Sequence, residues 1–212
     1  MRRAGNTVQD AKDLEPQILD SLYNSAKSII NVSEQKGIGT VLFTSVNDGE
    51  GTITAASHIG YILTQLEKKV LLVNLDLNNP DGLKRYFETD EGKKLIETVN
   101  TSSYLSEAIQ QTQYENLDVI SLEEVEETEF IEILNTKNIK GKLNPLKNYY
   151  DIVLLVGPEA ERFEHYSNVF ELTESAVTVS KDKTSDFRKV KRHIDKLGLF
   201  NIVSFGIIRN SK

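Results

Sequence analysis

The stretch SVNDGEGTITAASH, residues 45–58, follows an apolar run and opens a segment in which Ile53, Ala56, Gly60, Leu63 and Leu66 recur at helical spacing. Gly49 and Gly51 stand where a loop between strand and helix brings backbone N–H groups close to a phosphate. Such a loop also needs a lysine after its last glycine, to reach the outer phosphates, and then a Ser or Thr hydroxyl to hold magnesium. Here those two places carry Thr52 and Ile53. The loop is recognisable, and its charged residue is missing.

Outward from the loop, short runs rich in Val, Ile and Leu recur at 40–45 (TVLFTS), 69–74 (KVLLVN), 117–122 (LDVISL), 151–157 (DIVLLVG), 175–180 (SAVTVS) and 202–208 (IVSFGII). Continuous rather than alternating apolar character predicts strands covered on both faces. Helical spacing lies between them, as in Phe187, Val190, Ile194 and Leu197, which are expected to pack on the sheet, with Gly198 as the stop. The alternation predicts an α/β fold: a doubly wound, mostly parallel sheet with helices on both faces, in one domain. Residues 78–113 read as helical but irregular, with a turn at Asn79-Pro80-Asp81-Gly82. Residues 1–13 read as a loose polar segment before a domain spanning 14–212.

Composition narrows the function. The chain has 212 residues, a net charge of −7 and no cysteine, which excludes a disulfide framework and thiolate metal sites. The charge argues against nucleic acid as the main partner. No apolar run approaches the roughly 18 residues that cross a bilayer, and a cytosolic location is the expectation. Six glutamates fall within 123–132, and five Lys or Arg within 188–196; each is read first as a solvated helix face. His58, His165 and His193 lack the spacing of metal ligands. Asp48 and Glu50 are turn carboxylates rather than an acid–base pair.

Three signatures in order resemble those of the bacterial tyrosine kinases (BY-kinases) of capsule and exopolysaccharide export, relatives of the deviant-Walker ATPases that include the Min and Par proteins. The family loop S-x-x-P-G-E-G-K-S-T-T-A-A-N is matched by residues 45–58. The strand ending D-x-D-L-R-R-P is matched by Asn74-Leu75-Asp76-Leu77-Asn78-Asn79-Pro80, and Y-D-x-h-h-h-D-x-P-P (h apolar) by residues 150–159. Gly206-Ile207-Ile208-Arg209-Asn210 resembles the last strand, whose Asn recognises adenine. The resemblance runs from about Glu15 to Asn210 and implies a P-loop NTPase-like fold.

The departures fall on the chemistry. Thr52 replaces the phosphate lysine, Ile53 the magnesium hydroxyl, Asn74 and Val156 two aspartates, and Asn78 and Asn79 two arginines. The subunit-contact motif E-A-Y-R-x-L-R-T-N is matched only loosely, by residues 20–28, without its arginines, and no tyrosine-rich tail follows. Phosphoryl transfer depends on positioning and on charge supplied by lysine and magnesium. Losing the lysine and placing Asp48 in the loop makes the site about two charges more negative. Each charge costs about 3 kcal/mol at about 5 Å and an effective dielectric of about 20.

The expectation is therefore no catalytic residue, no metal and no magnesium, with Gly49, Glu50, Gly51, Thr52, Thr54, Asp76 and Asn210 as a remnant nucleotide site. Weak ATP or ADP binding stays open, through N–H donors at the helix start. By resemblance, the chain is a non-catalytic, pseudokinase-like component of polysaccharide assembly. It would bind a membrane-embedded chain-length regulator or an active relative, at the inner face of the membrane. Two alternatives stand beside this. One is an active autokinase or ATPase using replacement residues. The other is a Min/Par-type switch, although the second loop lysine of those proteins, near Val46–Asn47, is absent.

Overall fold

Along the apolar runs, successive side chains enter two different hydrophobic layers. Val41 and Phe43 join one and Leu42 the other; Val70 and Leu72 oppose Leu71 and Val73; Ile152, Leu154 and Val156 oppose Val153 and Leu155. A strand alternates its side chains with a period of two, so a run that is apolar throughout is one buried on both faces. The computed structural model describes residues 16–89, 91–101, 104–162, 166–181 and 186–210. The expected loose segment 1–13 and His165 lie outside them.

The strands are β1 (Thr40–Ser45), β2 (Val70–Asn74), β3 (Gln110–Gln111), β4 (Leu117–Ile120), β5 (Ile152–Glu159), β6 (Ser175–Lys181) and β7 (Val203–Asn210). The helices are α1 (Pro16–Lys36), α2 (Thr52–Gln65), α3 (Leu95–Thr101), α4 (Glu127–Thr136), α5 (Ile139–Leu143), α6 (Ser167–Leu172) and α7 (Phe187–Leu199). One sheet runs in the order β3-β4-β2-β5-β1-β6-β7. All neighbours pair in parallel except β3 with β4. Side chains of α1 and α2 share one layer with the sheet, and those of α3 to α7 share the other. The result is the doubly wound α/β, P-loop NTPase-like architecture, with helices on both faces.

All six expected strands form. The two-residue β3 has no signal in the sequence, because Gln110 and Gln111 carry no strand propensity. The turn after β2 forms where expected, and Gly82 begins a short 3-10 turn, Gly82–Arg85.

Two expectations about α7 are corrected. The helix passes through Gly198 to Leu199, and the left-handed residue beyond it is Asn201, at φ 60°. Phe187 does not pack on the sheet but is 71% exposed. The packed stripe is Val190, His193 and Leu197. Continued back one turn, that stripe falls on Asp186, whose carboxylate caps the helix by accepting from Arg188 N at 2.9 Å.

At the amino ends of the strands, opposite the phosphate loop, Glu174 gathers three elements. Its carboxylate accepts from Gly39 N (2.7 Å) and Thr40 N (2.9 Å) at the start of β1, and pairs with Lys147 Nζ (2.8 Å) before β5.

Candidate functional site

The carboxyl ends of β1, β2 and β5 converge, the place where open α/β sheets hold ligands. From Ser45 the chain turns through Gly49 (φ 72°) and Gly51 (φ 90°), both in the left-handed region that favours glycine, and α2 starts at Thr52. A Cβ on Gly51 would stand 2.5 Å from Asn210 Nδ2, so the last strand closes directly on the loop. Asn210 Nδ2 donates to Glu50 O at 3.1 Å.

Glu50 is 2% exposed, and its carboxylate accepts from Val46 N (2.9 Å), Asn47 N (3.1 Å) and Asn47 Nδ2 (2.9 Å). It is the staple of the turn. Asp48 Oδ1 accepts from Gly49 N at 2.8 Å, so a glycine N–H that a phosphate oxygen would need already has an anionic partner.

At the end of β2, Asn74 is fully buried. Its Nδ2 donates to Asn79 O (2.9 Å) and Pro80 O (2.8 Å), while its Oδ1 accepts from Asp76 N (3.0 Å). The amide thus brackets the turn that follows the strand. An aspartate, with acceptors only, cannot make the two donated bonds. Asp76 accepts from Asn78 N at 3.0 Å. Burial pushes its carboxyl above the usual carboxylate range, outweighing the hydrogen bonds from Asn78 and Asn79; Glu159 and Asp48 add to the rise. Val156 is fully buried within β5, beside Asn74 of β2. In place of the family carboxylate there is an apolar side chain in the core.

Between these ends lies a cavity of about 220 Å³, touched by Asp48, Gly49, Gly51, Thr52, Ile53, Thr54, Asp76, Asn79, Arg85, Tyr86 and Glu159. This is below the roughly 300 Å³ at which small-molecule pockets begin. Three carboxylates line it, and among the described residues Arg85 is the cation facing them. Glu159 also pairs with Arg162 Nε at 2.9 Å. Thr54 Oγ1 and Tyr86 OH are 2.7 Å apart, and His58 Nδ1 lies 2.8 Å from Thr54 O with its ring edge-on to Tyr86. His58 is thereby packed into the start of α2. Ile53 leans on the turn after β2: a Cβ on Gly82 would collide with Ile53 Cδ1. No magnesium-type hydroxyl stands at that position.

Of the residues expected at the site, Gly49, Gly51, Thr52, Thr54 and Asp76 line the cavity together. Glu50 and Asn210 stand behind the loop as its braces. Sequence reasoning did not single out Arg85, Tyr86 and Glu159. Arg85 comes six residues after Asn79, one of the two positions where the family carries arginine, so its contribution depends on how the 3-10 turn folds. A larger groove, about 560 Å³, lies away from the loop between α1 and β7. Asp20, Ser21, Asn24, Ser25 and Ser28, from the loosely matched motif, line it.

The AAA domain family matches residues 27–166, a span that takes in the loop, both altered strand ends and the cavity. The chain belongs to that family. Within it, the chain is similar to bacterial tyrosine kinases. It is 22% identical over 191 residues to tyrosine-protein kinase CpsD of Streptococcus pneumoniae serotype 4, covering 90% of this chain and 83% of that one. To tyrosine-protein kinase YwqD of Bacillus subtilis it is 29% identical over 147 residues, covering 68% and 61%. The kinase domain of the Escherichia coli tyrosine kinase ETK superposes with a TM-score of 0.83 at 17% identity, over 100% of this chain and 82% of the other. The AAA-domain chain therefore comes from an enzymatic family. No helix among the described residues is long and apolar enough to cross a membrane.

Proposed function

We propose that this AAA-domain chain is a non-catalytic, BY-kinase-like binding component of capsule or exopolysaccharide assembly. It engages a membrane-embedded chain-length regulator or a catalytically active relative. The observation that carries the reading is the Asn74 bracket: the position of the family's first aspartate is committed, through two donated hydrogen bonds, to holding the turn shut. Three further features support it. The lysine position is Thr52, the Gly49 N–H is already bonded to Asp48, and three carboxylates line the cavity with Arg85, one of them, Glu159, paired with Arg162 behind it. Each opposes a polyphosphate, and the groups that stabilise a transferring phosphoryl are the ones replaced.

Calorimetric titration with ADP and ATP, with and without magnesium, tests the reading. The expected outcome is no magnesium-dependent heat. Magnesium-dependent binding at micromolar affinity, or ATP turnover abolished by Asp76→Ala, overturns it.

A further inference from the structure

Helix α7 carries five Lys and Arg residues and one Asp within 13 residues, on a protein whose net charge is −7. Its inward stripe, Val190, His193 and Leu197, is buried. At about 3.6 residues per turn, Phe187, Lys191, Asp195, Arg188, Leu199 and Arg192 fall in one outward arc of about 140°. Arg188, Lys189, Lys191 and Arg192 are exposed, and no ion pair among the described residues engages them.

Apolar side chains sit in the same arc. Phe187 is 71% exposed and Leu199 82% exposed, one at each end of the helix, and neither belongs to a hydrophobic layer of the fold. Phe200, just beyond, differs: its ring lies 4.6 Å from that of Phe170.

We infer that the outer face of α7 is a docking surface for an anionic lipid bilayer. A bilayer supplies both complements this face asks for. Its headgroups are negative, and an apolar layer beneath them receives Phe187 and Leu199 while the basic side chains stay at headgroup level. A solvated acidic protein face answers the cations alone. The exposed Glu124, Glu126, Glu129 and Glu132 at and before α4 of a second copy are the nearest such alternative, and they leave both apolar ends uncovered. The inference is independent of whether the phosphate-loop site binds nucleotide.

Co-sedimentation of the full chain with vesicles tests it. Phosphatidylcholine alone is compared with phosphatidylcholine plus phosphatidylglycerol, at low and high salt. Binding is expected only to the anionic vesicles and is expected to weaken as salt rises. In the charge-reversed double variant Arg188→Glu, Arg192→Glu, affinity falls by at least about tenfold. The variant Phe187→Ser, Leu199→Ser keeps the net charge; it is expected to lose affinity as well, and to lose most of what binding survives at high salt. All the altered side chains are exposed, so melting curves matching the parent are expected for both variants.

Equal binding to both vesicle types, no binding to either, or a charge-reversed variant that binds as the parent does overturns the inference. So does a charge reversal whose effect appears only as altered self-association without vesicles, which assigns the face to a second copy.

Discussion

Asn74 donates both amide hydrogens, one to each of two carbonyl oxygens, at 2.9 and 2.8 Å. Asn74→Asp, which writes back the family residue, removes both donors and turns a buried carboxylate towards two carbonyls. The expected cost is about 2–3 kcal/mol of stability, from the two lost bonds and a carboxylate buried without a cation; Asn79 O keeps its bond from Gly82 N. Urea unfolding of the variant against the parent measures it. An Asn74→Asp protein as stable as the parent would show that the bracket is dispensable. Asp76, the surviving carboxylate, gives no compensating pull, since burial already disfavours its own charge.

At the scale of elements, the two ends of the sheet do different work. The carboxyl ends hold the altered site, while the amino ends are tied by charged side chains that the site does not use. Burial raises the Glu174 carboxyl, but Lys147 and the Gly39 and Thr40 N–H groups together hold it below the usual range. A carboxylate with a lowered folded pKa stabilises above its unfolded pKa, and that stability is lost as pH falls through the folded value. Glu174→Gln keeps the shape but loses the charge and one acceptor. We expect about 1–2 kcal/mol less stability at neutral pH, with the difference from the parent shrinking in acid. Thermal melts across pH check both parts.

The same division explains what was legible in the sequence. Strands β1, β2, β4, β5 and β6 announce themselves because burial on both faces demands unbroken apolar runs; β7, at the sheet edge, is not covered on both faces as expected and is only partly buried along its length. The loop announces itself because left-handed φ values at Gly49 and Gly51 demand glycine. Strand β3 is held by pairing with β4 rather than by its own residues, so nothing marks it. Phe187 misleads because spacing alone cannot tell which of two adjacent residues, Asp186 or Phe187, continues the buried stripe. Arg85 and Tyr86 reach the cavity from a 3-10 turn, where helical periodicity gives no guide. The loss of family residues at 52, 53, 74 and 156 was legible; that Asn74 had acquired a structural task was not, because the task is set by carbonyls five and six residues away.

Across the whole molecule, α7 couples a surface to the back of the loop through His193. This side chain is 3% exposed, and burial lowers its pKa to about 4, with Lys196 lowering it further and Glu50 opposing. A base whose folded pKa is lowered stays neutral in the fold while the unfolded chain takes up a proton below its own pKa of about 6.5. Stability is therefore complete above that pH and declines from there down to about pH 4. The decline attributable to His193 is about 3 kcal/mol over that window. His193→Leu is expected to flatten the corresponding part of the melting-temperature profile. A profile unchanged by the substitution would place the acid sensitivity elsewhere.

The bracket at the end of β2 also bears on history. Replacing an aspartate by an asparagine takes a single step in either direction, and on paper the change is reversible. Once the amide holds the turn of residues 76–80, the return step meets a destabilised protein first. The end of β2 thus acts as a ratchet: a change that is symmetric in sequence is not symmetric in stability.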